Sequence, residues 1–402
     1  MVNILYISII GMSEPLGKSQ VLEYLKVLSQ DYSISLHTFE KNINATEKSE
    51  IQEVMDNFGI SWTFQTYSNR FGVFSTLFQI ISSFTTLLKL VRSKPIHIIH
   101  ARSQIPVIIA LSIKSFSQVK VIFDIRGFQI DEKAEIGRIK INGITYNVLK
   151  WLELLAYKKS DSIVSLTYNA KKIIGQLTES EKITVIPTCA NSDVFRVNDS
   201  SEFKRSLGYN DNDKVIIHVG TVSNWYDFDS ELILINTLFD QDKNLRFLIL
   251  NKGESKFIEQ KLAEHNVCRE KVKIESADFY NVYKYLNFSE ASLFIIKPTF
   301  SKRASAPTKF AENLCCDLYS ITNNNIGDMN MFIQEYPEVG YSFDVAEVKS
   351  DTYALGQKIL KALGQRKRHS KQYQQLYKNY MSNNIAIKRY KKIYESLSIS
   401  SI

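Results

Sequence analysis

Short apolar runs rich in Val and Ile recur along the first half of the chain and alternate with amphipathic stretches. The runs read NILYISII, SISLHTF, IHIIHA, VKVIFDI, SIVSL and ITVIP. Continuous apolar strands that alternate with helical patterns are typical of a parallel sheet covered by helices on both faces. The first half of the chain is therefore predicted to form a doubly wound α/β domain.

A second series of apolar runs follows a polar stretch that begins after Cys189. These runs read KVIIHVG, RFLIL, KVKIES, ASLFII and LYSIT, and helical patterns separate them. A chain of 402 residues also exceeds the size at which one core usually stops growing. We predict two Rossmann-like domains, residues 1–193 and 194–375, that face a central cleft. Ligands are expected beyond the carboxyl ends of the strands.

One long uncharged stretch, residues 74–88, carries five polar residues. Gln79, two serines and two threonines interrupt it, which is costly in lipid. We interpret it as a buried helix. The N-terminus, MVNILYISIIGM, lacks the charged region and cleavage site of a signal peptide, and the four cysteines show no paired spacing. A cytoplasmic protein is expected.

The net charge of +8 is unevenly distributed. Residues 352–394 contain eleven Lys or Arg and no Asp or Glu, so the rest of the chain carries 8 − 11 = −3. This basic segment is either a solvated helical face or a surface attracted to anionic lipid at the inner face of the membrane. It contains no nucleic-acid-binding motif, so no nucleic-acid partner is expected.

A glycine-rich loop, GMSEPLGKS, follows the first predicted strand. It is similar to a phosphate-binding P-loop, G-x-x-x-x-G-K-[ST], but five residues separate Gly11 from Gly17, and Met12 stands where glycine is required. We therefore expect Gly11, Gly17 and Lys18 to approach a sugar or acceptor and not to bind ATP. A plain turn is the alternative.

The stretch IIKPTFSKRASAPTKFAENLCCDLYSIT combines a helix start with a cluster of cations. Pro307 suits the first helical turn, which places Ser305 or Ala306 at the cap. The free N–H groups of a helix start form an anion site, and four cations surround it: Lys297, Lys302, Arg303 and Lys309. A diphosphate is the expected ligand of this site.

The same helix carries a carboxylate close to its start. Glu312 lies three residues after Lys309 and four after Thr308, on one face of the first turns. A carboxylate there is suited to accept the hydroxyl groups of a ribose. The alternative is an ordinary surface ion pair between Lys309 and Glu312.

These residues resemble the nucleotide-binding region of retaining GT-B glycosyltransferases, a large family that includes sucrose and glycogen-type synthases and bacterial surface-polysaccharide transferases. S-x-P-T-K-x-x-E is similar to the family's S-S-P-T-K-x-x-E, and ITVIPTCANSDVF resembles V-I-P-N-G-V-D-x-x-x-F. The resemblance implies donor binding on the second domain, acceptor binding on the first, and a final helix, 376–402, that returns to the first domain. It also implies retention of anomeric configuration.

The chain departs from the family pattern at two places in the second domain. Ala304 stands where the family commonly has a carboxylate. Residues 221–225, TVSNW, stand where the family commonly has an Arg or Lys pair that holds the diphosphate. Gly220 and Thr221 remain expected donor-binding residues, but the cationic role must pass to the cluster around Lys302 and Lys309.

Polar residues also follow two strands of the first domain. Asp124 and Arg126 end VIFDI near the position that resembles the family's sugar-contacting His, and His100 and Arg102 end IHIIHA. We predict that Asp124, Arg126 and Lys302 take part in catalysis and that His100 and Arg102 contact sugar or acceptor. A structural ion pair at the strand end is the alternative for Asp124 and Arg126, and simple packing is the alternative for His100.

The sequence thus predicts a glycosyltransferase that moves a sugar from a UDP- or GDP-linked donor to a polysaccharide or lipid-linked glycan. No metal-ligand spacing is present in the sequence, and no cofactor besides the donor is expected. A nucleotide-sugar epimerase or phosphorylase, and a non-catalytic sugar-nucleotide-binding protein, are the alternatives.

Overall fold

The structure is a computed structural model, and it describes residues 1–41, 43–67 and 73–399. The chain divides into two compact units. The first unit comprises Met1–Pro187 together with Asn383–Ile402, and the second comprises Thr188–Ser382. The chain therefore leaves the first unit, forms the second, and returns.

The first unit is built on a parallel sheet in the order β3-β2-β1-β4-β5-β6-β7. Its strands are β1 Asn3–Ser8, β2 Ser33–Glu40, β3 Ser61–Thr66, β4 Ile98–Arg102, β5 Lys120–Asp124, β6 Ser162–Ser165 and β7 Ile183–Val185. Its helices are α1 Pro15–Gly17, α2 Glu23–Leu28, α3 Ala45–Asn57, α4 Val73–Ser93, α5 Gln104–Lys114, α6 Gln129–Glu135, α7 Ile144–Lys159 and α8 Tyr168–Ile174. A π-helical turn, Lys18–Leu22, joins α1 to α2.

The second unit is built on a parallel sheet in the order β10-β9-β8-β11-β12-β13. Its strands are β8 Lys214–Val219, β9 Leu245–Leu250, β10 Val272–Glu275, β11 Ala291–Phe294, β12 Tyr319–Asn323 and β13 Gly340–Phe343. Its helices are α9 Ser201–Ser206, α10 Phe228–Gln241, α11 Ser255–Glu264, α12 Val282–Phe288, α13 Thr308–Cys315, α14 Met329–Glu335, α15 Val345–Ser350, α16 Thr352–Gln365 and α17 Lys371–Leu376. The predicted fold class, with two doubly wound parallel sheets, is confirmed.

The last helix, α18 Asn383–Ile399, belongs to the first unit, where it packs on α2. It buries an apolar and aromatic face that includes Ile387, Tyr390 and Tyr394. Period-3.6 spacing of these residues directs one stripe of the helix to the unit's interior. The stripe reaches the ends of β4 and β5, which positions the site described below.

Local sequence signals fix several helix starts. Asn44 accepts a hydrogen bond from the N–H of Glu47, and the Glu47 side chain accepts from the N–H of Asn44, so α3 begins with a reciprocal capping box. Asp344 and Glu347 form the same arrangement at α15. Each pair satisfies backbone donors that would otherwise lack partners at the helix start.

The stretch predicted as a buried helix lies in α4, so the helix is confirmed, but only one stripe of it, which includes Leu87, is buried. Leu77, Phe78 and Ile81 are exposed, whereas the polar Gln79 and Ser83 are buried. The Ser83 hydroxyl donates to the Gln65 side chain at 2.6 Å, so polar contacts hold this part of the helix to the sheet. In the part of the chain that the structure describes, no helix combines the length and apolarity that crossing a bilayer requires.

Candidate functional site

The carboxyl end of β8 turns sharply into the loop 220–225. Gly220 has φ = +94°, a backbone conformation that residues with a Cβ rarely adopt. Its Cα also lies against Lys309, because a Cβ built on it would come within 3.6 Å of that side chain's Cε. The glycine therefore allows the loop and the lysine to approach each other.

Glu254, just after β9, holds this loop in place. Its carboxylate accepts hydrogen bonds from the Thr221 hydroxyl at 2.9 Å, from the Val222 N–H at 3.0 Å and from the Ser223 hydroxyl. Burial would raise the pKa of Glu254, but these donors lower it to about 2. An ionised carboxylate thus anchors residues 221–223, which belong to the segment that lacks the cationic pair of the resembled family. Glu254 was not predicted, although an acidic residue right after a strand and a glycine turn was a usable signal.

The predicted helix start lies one residue later than expected. α13 begins at Thr308, and Pro307 occupies the cap position with an extended ψ of 125°. No side chain caps the helix, so the prediction of a Ser305 or Ala306 cap is wrong. Pro307 fixes φ and offers no N–H, which is why it sits directly before the first turn. The initial N–H groups of α13 consequently lack a side-chain acceptor.

Two lysines beside this helix start rest on aromatic rings. The Nζ atom of Lys302 lies 3.5 Å from the centre of the Trp225 ring, and that of Lys309 lies 3.8 Å from the centre of the Tyr226 ring. Both lysines are buried. The Lys309 ammonium makes no hydrogen bond to any described residue. Aromatic faces attract a cation without neutralising it, so its charge stays available to an anion.

Glu312 lies on the same helix as Lys309 but does not form an ion pair with it among the described contacts. Burial raises the pKa of the Glu312 carboxyl to about 7, and the nearby positive charge of Lys309 only partly opposes this. The alternative of a surface ion pair between Lys309 and Glu312 is therefore not what the structure shows. Instead, the Glu312 carboxyl is desolvated, and the Lys309 ammonium lies on the Tyr226 ring. Such a carboxyl is poised to accept hydroxyl groups.

The other predicted donor-binding residues lie around this centre with less burial. Lys297 is exposed and donates to the Asn224 carbonyl at 2.8 Å. Arg303 is exposed and lies over the Phe300 ring, and Ser305 and Thr308 are partly buried. Ala304 is buried within the short helical turn Phe300–Ala304.

In the first unit, Asp124 is the centre of a buried charge cluster at the carboxyl ends of β4 and β5. Its carboxylate contacts Arg102 at 3.2 Å, His100 at 3.4 Å and Arg126 at 3.5 Å. Burial would raise the pKa of Asp124, but Arg126, His100 and Arg102 together hold it well below its usual range. Of the three basic partners, Arg126 has the most exposed side chain, at 11%.

The last helix completes this cluster. The Tyr394 hydroxyl lies 2.7 Å from Nδ1 of His100, and the Tyr390 hydroxyl lies 3.3 Å from Asp124. Burial lowers the pKa of His100, so its ring is neutral at neutral pH. Asp124 then accepts from the Nε2–H of His100, and Nδ1 accepts from Tyr394. No sequence signal pointed to these tyrosines, because 294 residues separate Tyr394 from His100 and 266 separate Tyr390 from Asp124.

The residue after Arg102 has an unusual backbone. Ser103 has φ = +89° and ψ = 176°, a region that is almost exclusive to glycine. Its N–H donates to the Asp124 carbonyl at 2.9 Å, and its hydroxyl donates to the Gln129 side chain at 2.9 Å. These contacts hold the strained residue at the edge of the sheet where Arg126 emerges.

The glycine-rich loop after β1 is occupied by a side chain of the protein itself. The Glu40 carboxylate accepts from the N–H of Met12 at 2.7 Å, the N–H of Ser13 at 3.2 Å and the Ser13 hydroxyl at 2.8 Å. In a P-loop such N–H groups hold phosphate. Lys18 is exposed and follows Gly17 into the π-helical turn. Gly11 and Gly17 pack against Glu40 and against each other, which explains the two glycines without a ligand.

Many cations of the basic segment 352–394 are already paired. Lys358 contacts Glu347, Arg366 contacts Glu290, Lys367 contacts Glu338 and Lys391 contacts Asp31. Arg368 and Arg389 donate to backbone carbonyls. The segment therefore presents fewer available charges than its composition suggests.

Among the described residues, no group of three or more His, Cys, Asp or Glu side chains is arranged to hold a metal ion. No model of a known protein family matches the chain, and no curated protein matches it in sequence.

Solved structures of glycosyltransferases resemble the chain over its whole length. Sucrose-phosphate synthase from Thermosynechococcus elongatus is 12% identical, with a TM-score of 0.73 and 100% of both chains covered. Anabaena HepE, solved with UDP and glucose, is 11% identical, with a TM-score of 0.71 and coverage of 99% of this chain and 100% of that one. WaaG, a glycosyltransferase involved in lipopolysaccharide biosynthesis, is 12% identical, with a TM-score of 0.64 and coverage of 98% and 99%. At these identities the likeness establishes the fold, the GT-B fold of glycosyltransferases.

Proposed function

We propose that this chain is a glycosyltransferase that binds a nucleotide-sugar through its second unit and transfers the sugar to a glycan acceptor. The observation that carries the proposal is the buried ammonium group of Lys309, which has no hydrogen-bond partner among the residues that the structure describes and lies beside Gly220 and the uncapped start of α13. A buried cation without a partner is costly unless a ligand supplies one. A diphosphate is the ligand whose charge and size suit this position.

The chemistry follows from where the charges lie. As the bond from the anomeric carbon to the diphosphate breaks, negative charge develops on the leaving nucleoside diphosphate, and a new bond forms to the acceptor oxygen, whose proton is released. Lys302, Lys309 and the first N–H groups of α13 stabilise the developing charge. Glu312 accepts hydrogen bonds from the ribose. No metal ion is required to neutralise the leaving group in this scheme.

In the first unit, Arg126 is proposed to hold a sugar hydroxyl or a phosphate oxygen. Asp124, His100 and Arg102 fix its position from the buried side. The strained backbone of Ser103 beside them is of the kind found at functional sites. In this proposal Asp124 positions Arg126 and does not contact the substrate. Its role would then be indirect, whereas the sequence analysis expected it to take part in catalysis.

The donor and acceptor classes are proposed on separate grounds. HepE was solved with UDP, which supports a UDP-linked donor. The involvement of WaaG in lipopolysaccharide biosynthesis supports a lipid-linked or polysaccharide acceptor, as does the resemblance of the 305–312 motif. Retention of configuration rests on that resemblance.

Product analysis with a panel of nucleotide sugars tests the proposal. Sugar transfer, or slow hydrolysis of one donor, supports it, and unchanged activity in a chelator supports the metal-independent scheme. An isomerised donor would instead indicate an epimerase, and phosphate-dependent release a phosphorylase. Binding without turnover would indicate a non-catalytic protein.

A further inference from the structure

A buried histidine and a buried glutamate meet next to the loop 220–225. His218 belongs to β8 and Glu231 to α10, and both side chains are fully buried. Nδ1 of His218 lies 2.8 Å from Oε1 of Glu231. Two ionisable side chains therefore pair in the interior of the second unit, close to the proposed donor site.

The second ring nitrogen of His218 contacts the loop itself. Nε2 lies 3.0 Å from the carbonyl oxygen of Thr221. A carbonyl oxygen can only accept, so Nε2 carries a hydrogen and donates it. Nδ1 and the Glu231 carboxyl group hold a further proton between them, because facing lone pairs at 2.8 Å would repel each other. The pair thus presents a fixed donor to the loop backbone.

The peptide unit between Thr221 and Val222 is held at both ends. Its carbonyl accepts from His218, and its N–H donates to Oε2 of Glu254 at 3.0 Å. A peptide unit is planar, so hydrogen bonds at its two ends fix its orientation. Hydrogen bonds in series also polarise and strengthen one another. The backbone that follows Gly220 therefore has little freedom to rotate.

This part of the backbone determines where the two aromatic rings of the donor site lie. Trp225 and Tyr226 follow it along the chain, and the ammonium groups of Lys302 and Lys309 lie over their rings. The His218 ring also contacts the Tyr226 ring edge-to-face, with 5.4 Å between the ring centres. Loss of the His218 contacts would therefore displace the ring on which Lys309 rests.

Stability alone does not explain the pair. Oε2 of Glu231 is buried and has no hydrogen-bond partner among the residues that the structure describes. A buried polar atom without a partner costs free energy, and a buried ion pair is often no more stabilising than apolar side chains of similar volume. What the pair does contribute is the contact with the loop 220–225.

We propose that His218, held by Glu231, is a positioning residue for the donor site. It fixes the Thr221–Val222 peptide and the Tyr226 ring, and through them the ammonium group of Lys309. The inference rests on the proposed function, because it concerns the same diphosphate-binding site. His218 does not contact the donor in this assignment. Glu231 keeps the imidazole in the orientation and protonation state that the Thr221 carbonyl requires.

An apolar replacement of the whole pair tests the assignment. The double variant His218→Phe, Glu231→Leu removes both polar side chains together, so it should fold with a melting temperature close to that of the wild type. Calorimetry should show at least about fivefold weaker binding of a nucleoside diphosphate, because the Thr221 carbonyl loses its donor. The probe is whichever of UDP, GDP and ADP the wild type binds most tightly.

A matched control breaks an ion pair elsewhere in the second unit. Arg246 and Asp213 pair at 2.8 Å near the amino ends of β9 and β8, whereas the donor site lies at the carboxyl ends. The double variant Asp213→Asn, Arg246→Met should therefore bind the nucleotide with wild-type affinity.

Single variants of Glu231 keep the proposal testable if the apolar double variant does not fold. In Glu231→Gln the amide N–H can donate to Nδ1, so the ring keeps its Nε2–H for Thr221. Glu231→Leu leaves Nδ1 without the contact that orients the ring. We expect near wild-type nucleotide affinity for the first variant and at least about fivefold weaker binding for the second.

The indole N–H resonance of Trp225 reports the position of the loop without any ligand. Among the three tryptophans of protein labelled with ¹⁵N-tryptophan, it is the resonance that Trp225→Phe removes. It should shift in His218→Phe, Glu231→Leu and in Glu231→Leu, and it should stay in place in the Asp213→Asn, Arg246→Met control.

Three outcomes would overturn the proposal. They are wild-type nucleotide affinity in the folded apolar double variant, equal affinities of Glu231→Gln and Glu231→Leu, and a Trp225 resonance that no change at His218 or Glu231 shifts. A wild-type protein that binds none of the three nucleotides would instead contradict the proposed function. The Trp225 resonance would then still decide whether His218 holds the loop.

Discussion

The Lys309 ammonium group lies 3.8 Å from the centre of the Tyr226 ring and makes no hydrogen bond to any described residue. The ring steadies the cation in the absence of ligand without supplying a countercharge. A site of this kind is pre-arranged for an anion, since the lysine does not have to break an ion pair before it binds a diphosphate. The Lys302 ammonium group also lies over an aromatic ring, 3.5 Å from the centre of Trp225.

Replacement of Lys309 by Met is predicted to weaken UDP binding at least tenfold, the scale of about 1.5–3 kcal/mol for a hydrogen bond to a charged group. The folded state should not become less stable, because the variant removes a buried cation that has no partner. Isothermal calorimetry and thermal unfolding measure the two effects. Lys297→Met is the matched control, since that lysine is exposed, and it should lose less affinity. Equal losses would contradict the central position of Lys309.

Glu312 is predicted to make stability fall as pH rises. Its carboxyl group loses a proton near pH 4.5 in the unfolded chain and near pH 7 in the folded one, so the folded state binds more protons between these values. Stability is highest below about pH 4.5 on this account and decreases toward pH 7. In Glu312→Gln the decrease should be smaller, which melting temperatures across this range will measure against the wild type.

The same carboxyl should make donor binding depend on pH. An ionised Glu312 accepts ribose hydroxyls more strongly than a protonated one. UDP affinity of the wild type should therefore increase from about pH 6 to about pH 8, and Glu312→Gln should bind weakly with little pH dependence. A Gln variant that binds like the wild type at pH 8 would remove Glu312 from the site.

Substitutions of Asp124 and of Arg126 are predicted to differ in their effects: the first should mainly lower stability, and the second should mainly lower activity. Asp124→Asn leaves the buried Arg102 without its countercharge and should cost about 3 kcal/mol or more of unfolding free energy. Because the pKa of Asp124 is lowered in the folded state, its contribution is present above the carboxyl's ordinary pKa and is lost on acidification. Arg126→Gln should cost less stability but should reduce transfer; UDP affinity should stay unchanged if Arg126 holds a sugar hydroxyl and should fall if it holds a phosphate oxygen. Urea unfolding and steady-state kinetics make the comparison.

The glycines of the glycine-rich loop are predicted to be needed mainly for the stability of the fold. A Cβ at position 11 would lie 2.3 Å from Oε2 of Glu40 and 3.0 Å from the Phe39 carbonyl oxygen, so Gly11→Ala should destabilise the protein by about 1–3 kcal/mol. Gly364→Ala is the control, because nothing lies within 4 Å of its Cβ and it sits within α16. It should be neutral or stabilising. Magnesium-dependent ATP binding that Lys18→Ala abolishes would contradict this interpretation of the loop.

Features carried by contiguous residues were predictable from the sequence. The apolar runs gave both parallel sheets, and the segment 297–312 contained the cations, the helix start and the carboxylate of the donor site. What the sequence could not supply were partners distant along the chain: Glu40 in the glycine-rich loop, Tyr226 under Lys309, and Glu254 beneath Thr221. The rotation of α4 was equally hidden. Periodicity shows that a helix has two faces, but it does not show that Gln79 and Ser83 of α4 are buried and that Ser83 contacts Gln65.

The return of the chain to the first unit imposes an order on biosynthesis. Asp124 and His100 receive the hydroxyls of Tyr390 and Tyr394 only when α18 has been made, which is after every residue of the second unit has been synthesised. Until then the first unit lacks the aromatic stripe that covers the ends of β4 and β5. A fragment that stops at Pro187 should consequently be less stable to proteolysis than the same unit in the full chain, and adding α18 as a separate peptide should restore protection.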